Sequence, residues 1–263
     1  MKLLSGMLAF VIFCFSDNLS GQSPYQIDWK KELYFVGAGA GTLGLGAYLE
    51  KQTPIFDLGQ LETFNTNSIN RFDKGATSNY SLSAHEASDW LWYGSFALPT
   101  LFLADKNTRA NFGTIATLWG ETILLNAGIT ALSKYSFRRP RPYVYNSNVL
   151  AETKMTTTAQ GSFISGHTSM TAANTFFAAK VFSDYYPQSR WKPVVWSAAA
   201  TIPALTGYLR VKAGKHYPTD VIAGYAVGAA IGYFVPHLHK RKKNEKGWSV
   251  YGGTGGALLR YKF

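Results

Sequence analysis

Six long stretches with little or no charge dominate the chain beyond residue 30, and polar connections separate them. They cover 33–49, 90–104, 110–133 (interrupted by Glu121), 165–179, 193–209 and 221–236. Ala, Gly, Leu and aromatic residues fill them without the two-residue alternation of a half-buried strand, so each reads as a helix. Several fall short of the roughly 20 residues that a membrane crossing needs. The fold expected is all-α: a membrane-embedded bundle of about six core helices, with a bundle only partly sunk in lipid as the competing arrangement. Composition excludes intrinsic disorder, because 46% of the 263 residues are apolar and only 16% charged. A mean hydropathy of -0.07 is low for a polytopic membrane protein, whereas so few charges are unusual for a soluble enzyme.

The ends of the chain differ from its middle. Met1 and Lys2, an apolar run over 3–15 and a polar segment over 16–22 read as a secretory signal peptide spanning 1–21. An uncleaved anchor is the alternative, for which the apolar run is short. The single Cys14 allows no internal disulfide and no cysteine-based zinc site, and Phe13 before it argues against lipoprotein cleavage. Residues 22–89 form an N-terminal helix and a polar insertion rich in Asn, Ser, Thr and Gly. Residues 90–238 form the helical core. A basic run and a tail complete the chain over 239–263, where WSVYGGTGGALLRYKF predicts two short strands about a glycine turn.

Three polar clusters carry the chemistry. The first, KYSFRRPRP over 134–142, puts four cations within eight residues at the mouth of an apolar segment. Arg donates bidentately to phosphate and Lys adds a point charge; a basic patch against lipid head groups is the plainer reading. The second, GSFISGHTS over 161–169, opens the fourth stretch. A helix N-terminus presents free N–H groups to an anion, Gly166 permits close approach, and Ser165 and His167 add a hydroxyl and a proton carrier. An ordinary cap with a bystander histidine reads the same residues. The third, RVKAGKHYPTD over 210–220, sets His216 four residues before Asp220, whose carboxylate could orient the imidazole; such a pair is also common as structure.

Alternating helix directions bring the clusters together. The end of the third stretch, the start of the fourth, the end of the fifth and the start of the sixth then share one end of the bundle. Lys134, Arg141, Ser165, His167, Arg210, His216 and Asp220 converge there as a phosphoryl-transfer site that needs no metal.

These motifs resemble the type 2 phosphatidic acid phosphatase and vanadium haloperoxidase superfamily, whose signature is K-x6-R-P, P-S-G-H and S-R-x5-H-x3-D. Lys134 to Pro142 complete the first part. Ile164 replaces Pro in the second and Leu209 replaces Ser in the third, both at flanking positions. The resemblance covers about residues 90–238. It implies that His216 attacks phosphorus with Asp220 holding its ring, and that His167 protonates the leaving oxygen. It further implies that Lys134, Arg141, Arg210, Ser165 and Gly166 clamp the phosphoryl oxygens. Arg138 and Arg139 lie outside the motif and read as solvated charge.

The function expected is a metal-independent phosphatase that hydrolyses a lipid phosphate monoester or pyrophosphate through a phosphohistidine. A soluble periplasmic acid phosphatase and a vanadate-dependent haloperoxidase are the alternatives. No cofactor, metal or nucleic-acid partner is expected; the partners are a lipid phosphate and the membrane. The Gly39-x-Gly41-x-x-Gly44 pattern lacks a βαβ context, and Gly37 with Gly41 suggests helix packing instead. His237 and His239 are too few for a metal site and are read as interfacial, and Glu121 as a buried partner for another helix. Lys106, Arg109, Lys180, Arg190, Lys192 and the 240–243 run lie opposite the motifs, so the positive-inside rule places the site on the periplasmic face of a bacterial membrane. A cleaved signal peptide followed by six full spans predicts the reverse.

Overall fold

The computed structural model describes residues 23–241, 247–253 and 256–262. The expected signal peptide over 1–21, with Cys14, lies outside them. Six long helices form the bundle: α1 Trp29–Lys51, α2 Leu82–Ala97, α3 Phe112–Phe137, α4 Gly166–Tyr185, α5 Lys192–Lys212 and α6 Pro218–Leu238. Asp28 caps α1 by accepting from the Lys30 amide at 3.0 Å, and Ser81 caps α2 by accepting from the Ala84 amide at 3.2 Å. Pro218 occupies the first turn of α6, where its missing N–H and fixed φ suit a helix start. The expected C-terminal strands form an antiparallel hairpin, β1 Gly247–Gly253 with β2 Gly256–Lys262, and Val250 pairs with Leu259.

Small residues set the helix pairing. On α6, Gly224, Gly228 and Gly232 lie four apart and face the backbone of Ser165, Ser169 and Ala173 on α4. A Cβ at Gly228 would meet the Ser169 carbonyl oxygen at 1.9 Å, so only glycine permits this approach. α1 lies along α3 in the same way, but through Gly39 and Gly46 rather than the expected Gly37 and Gly41, which face outward with nothing within 4 Å. Ile115 and Leu118 of α3, Phe177 and Val181 of α4, and Val235 of α6 fill the core between the helices.

Other expectations need correction. The second stretch is helical from Leu82, eight residues earlier than its apolar composition suggests, and ends in a 3₁₀ turn over Pro99–Leu103. In its first turns His85, Ser88 and Asp89 face polar groups of the bundle, whereas Ser83 and Glu86 are exposed. The polar insertion folds into short helices, including Leu58–Thr63 and Arg71–Lys74. Lys180 is buried and bonded to Asp184, so it adds no exposed charge to the basic end. His239 is also buried, beside Glu32 and Glu121, rather than interfacial. Glu121 is the interhelical partner that its place in an apolar helix implies.

The outer surface stays apolar. Leu33 and Tyr34 on α1, Tyr93 on α2, Leu205 on α5 and Phe234 on α6 are all exposed. Two segments, Phe112–Tyr145 and Pro218–Leu238, are long and apolar enough to cross a membrane.

Candidate active site

The site lies at the end of the bundle where α3 and α5 finish and α4 and α6 begin. Lys134 sits in the last turn of α3, which stops at Arg138 in the left-handed conformation (φ 46°). That turn redirects the chain, so that Arg139 and Arg141 face inward. A second small core, with Tyr143, Val144, Val149 and Ala159, braces the loop behind them, and the Arg141 amide donates to the Ala159 carbonyl at 2.8 Å.

His216 is 1% exposed. Its Nδ1–H donates to the Ser162 carbonyl at 2.8 Å, which fixes the tautomer and leaves Nε2 as the basic nitrogen. Burial, reinforced by Arg141, Arg210 and Lys134, holds its pKa well below the usual imidazole value. The ring is therefore neutral near pH 7, as a nitrogen nucleophile must be. The same three cations also imply an anion, because the Nε atoms of Arg141 and Arg210 are buried without an acceptor among the described residues. Gly166 opens α4 beside Lys134, and a Cβ there would meet Nζ at 3.2 Å. Ser165 is fully buried; its hydroxyl pairs with Thr168 at 2.9 Å and its amide donates to the Asp220 carbonyl at 3.0 Å.

All eight expected residues therefore meet, but Asp220 does not hold the imidazole directly. Its Oδ2 lies 3.8 Å from His216 Nδ1, beyond hydrogen-bond reach. Oδ2 instead accepts from the Ser162 hydroxyl at 2.6 Å and the Tyr217 amide at 3.0 Å. The expectation for Arg139 is overturned more fully. Its guanidinium bridges Asp220 Oδ1 at 2.5 Å and Asp73 Oδ2 at 2.8 Å, and stacks 4.0 Å from the Tyr217 ring centre. Both carboxylates are fully buried, so the charge is matched, not solvated. Burial pushes Asp73 up, but hydrogen bonds from Thr219, Arg139 and Asn70 outweigh it and hold its pKa below the usual carboxylate range.

α2 supplies the other unforeseen groups. Asp89 Oδ1 accepts from His167 Nε2 at 2.8 Å, and Trp92 lies against the same imidazole with centroids 5.0 Å apart. Arg210 Nη1 donates to His85 Nδ1 at 2.9 Å and to Ser88 Oγ at 3.2 Å. Burial and the Arg210 charge lower the His85 pKa. Burial, then Arg141 and Arg210, bring Lys215 down to about 8. The i, i+4 spacing of His85 and Asp89 matches that of His216 and Asp220 and was the available signal for α2. Arg139 was visible in the cation run, whereas nothing local marked Asp73 as its partner. Burial, then Arg210, His216, Lys134 and Arg141, bring the His167 pKa down to about 2, so both imidazoles are neutral until an anion offsets the cations. Two imidazoles and three cations about an anion suit displacement at phosphorus.

Residues 115–244 match the model of the PAP2 superfamily. A lipid A 1-phosphatase of Porphyromonas gingivalis is 32% identical over 122 residues, which is 43% of this chain and 23% of that protein. A lipid A 4'-phosphatase of the same organism is 37% identical over 73 residues, 28% of each chain. The chain thus spans about a quarter of the length of these relatives. A transmembrane PAP2-type phosphatidylglycerolphosphate phosphatase from Bacillus subtilis superposes with a TM-score of 0.43 and 18% identity, over 90% of this chain and 94% of that one.

Proposed function

We propose that the chain, whose residues 115–244 match the PAP2 superfamily model, belongs to that superfamily and is a membrane-embedded phosphatase that hydrolyses a lipid phosphate monoester or pyrophosphate without a metal in the reaction. One observation carries this reading: the neutral Nε2 of His216 lies in the field of Arg141, Arg210 and Lys134, two of which hold buried N–H groups without an acceptor among the described residues.

In the proposed reaction, the bound phosphate offsets the nearby cations and His167 takes up a second proton on Nδ1 with it. His216 Nε2 forms the bond to phosphorus as the bond to the leaving oxygen breaks, and that Nδ1 proton passes to the oxygen while Asp89 keeps Nε2–H. Water then attacks the phosphohistidine, giving its proton back to His167 and releasing phosphate. Lys134, Arg141 and Arg210, with the free N–H groups opening α4, stabilise charge on the equatorial oxygens. Ser162 and Asp89 orient the two imidazoles. Asp220 acts through Ser162 and is a positioning residue.

The exposed apolar flanks of the bundle favour a lipid over a soluble ester. The names of the relatives put a lipid A phosphate first among candidate substrates. Exposed Lys106, Arg109, Arg190, Lys240 and Arg241 at the end opposite the site favour a periplasmic site.

The test is phosphate release, with no metal added, from lipid A, phosphatidic acid, phosphatidylglycerol phosphate, a polyprenyl pyrophosphate and one soluble phosphomonoester. Wild type is expected to turn over at least one lipid, to trap acid-labile phosphate on the protein, and to lose both properties in His216→Ala. Release from the soluble ester alone would indicate the acid phosphatase. Vanadate-dependent halide oxidation without hydrolysis would indicate the peroxidase.

A further inference from the structure

At the opposite end of the bundle, three helices bring together Glu32 in the first turn of α1, Glu121 in α3 and His239 just beyond α6. Glu121 is 3% exposed and His239 is 1% exposed. His239 Nε2 lies 3.2 Å from Glu32 Oε1 and 3.6 Å from Glu121 Oε2. Glu32 Oε1 also accepts from the Asp28 amide at 3.2 Å. Glu32 Oε2, both Glu121 oxygens and His239 Nε2 are buried without a hydrogen-bond partner among the described residues. Neither carboxylate has a Lys or Arg within salt-bridge distance among those residues. Buried carboxylates without a counter-charge are costly, and coordination of a metal is one of the few ways to keep them.

We propose that Glu32, Glu121 and His239 form a zinc site that ties α1, α3 and α6 together at the end of the molecule away from the phosphatase chemistry. The geometry points to this in three ways. One ligand atom from each residue lies within 4.8 Å of the other two. The 3.2 and 3.6 Å separations are close to the roughly 3.3 Å edge of a tetrahedron with 2.0–2.1 Å bonds to Zn²⁺. His239 Nδ1–H donates to the Val235 carbonyl at 2.8 Å, so the Nε2 lone pair faces the carboxylates. A backbone acceptor on the far nitrogen is the usual support of a metal-bound histidine, and without a metal ion or an added proton Nε2 and the carboxylate oxygens would face each other as acceptors. Three protein ligands leave a fourth position for water. The Glu32 side chain is 13% exposed and provides an entry path. About 13 residues of α3 separate Glu121 from Lys134, some ~20 Å along the helix, so the ion has no place in the proposed phosphoryl transfer.

The experiment uses the full chain in detergent, purified without a histidine tag. Wild type loaded with Zn²⁺ and passed through gel filtration is expected to retain about one ion per chain. Its unfolding midpoint should rise by several degrees with added Zn²⁺, and Co²⁺ should give the visible absorption of a four-coordinate site. Glu32→Gln, at the accessible edge, should keep the fold and the phosphate release of wild type while Zn²⁺ affinity falls about 100-fold or more; Glu121→Gln should behave likewise wherever it folds. Failure of folded wild type to retain Zn²⁺ or shift its midpoint would overturn the site and indicate a proton shared by the cluster. Equal retention in wild type and Glu32→Gln would also overturn it, as adventitious surface binding. Since the readout is metal content, the result is independent of whether the chain proves to be a phosphatase.

Discussion

His216 Nδ1 bonds to the main-chain carbonyl of Ser162 at 2.8 Å, while Asp220 stands 3.8 Å away and instead accepts from the hydroxyl of that same Ser162. The proposed nucleophile is thus oriented by backbone, with the carboxylate one layer behind. Asp220→Asn is expected to lower kcat by about 10–100-fold, well short of the roughly 10⁴-fold loss when the carboxylate of a directly bonded His–Asp pair is replaced. Ser162→Ala keeps the carbonyl and should cost about 10-fold. A loss in Asp220→Asn as complete as in His216→Ala would show that the carboxylate contacts the ring during turnover.

Arg139 is the keystone between the polar insertion and the start of α6. Its removal leaves two fully buried carboxylates, Asp73 and Asp220, without their cation. Arg139→Ala is expected to destabilise the protein by about 3–5 kcal/mol, the range for breaking a buried pair by removing one partner. Arg139→Lys, with a single point charge for two carboxylates, should fall between. Denaturant unfolding in detergent reads both values.

Asp89 is expected to act chiefly on the proton carrier, to which it is nearer than to Arg210 Nη1 at 3.5 Å. Its 2.8 Å bond fixes the His167 Nε2 proton, so Asp89→Asn should lower kcat about 10-fold or more while KM changes little. Steady-state kinetics on the best lipid substrate separates this outcome from loss of binding, which would raise KM instead.

Buried neutral histidine makes stability depend on pH in a defined direction. Burial and neighbouring cations keep the folded-state pKa of His216 well below the unfolded value of about 6.5. Below pH 6.5 the unfolded chain binds a proton that the folded chain refuses, so stability is full above 6.5 and falls as pH drops toward the folded pKa. His216→Asn should flatten this limb by about one proton in a plot of unfolding free energy against pH. On the alkaline side, Lys215 is brought down to about 8 by burial and by Arg141 and Arg210, and loses its charge above that pH. kcat/KM for an anionic substrate should decline there, and Lys215→Gln should remove the decline.

The glycine contacts predict opposite effects at two positions. At Gly228 a methyl group would sit 1.9 Å from the Ser169 carbonyl. Gly228→Ala must therefore push α6 from α4, lowering the unfolding midpoint and separating His167 from Asp220's helix enough to reduce activity. Gly41→Ala meets nothing within 4 Å, and should raise stability by about 0.5–1 kcal/mol through helix propensity.

The six helices, the C-terminal hairpin and the eight residues that meet at one end were legible in the amino-acid order, because each rests on local information. Uncharged runs specify helices, and alternating direction carries Lys134, His167, Arg210 and His216 to the same face. Glu121 was legible as a buried partner since a lone acid in an apolar helix must find one. Tertiary structure decided which groups those residues touch. The polar first turns of α2 concealed where that helix starts, and with it His85, Ser88 and Asp89 at the site; no nearby residue marked Asp73 as the partner of Arg139, 66 positions away. Packing also chose Gly39 and Gly46 over Gly37 and Gly41, and drew His239 inside to meet Glu32 and Glu121. Periodicity tells which residues share a helix face, but the pairing of buried charges depends on helix rotation and separation, which only the assembled bundle fixes.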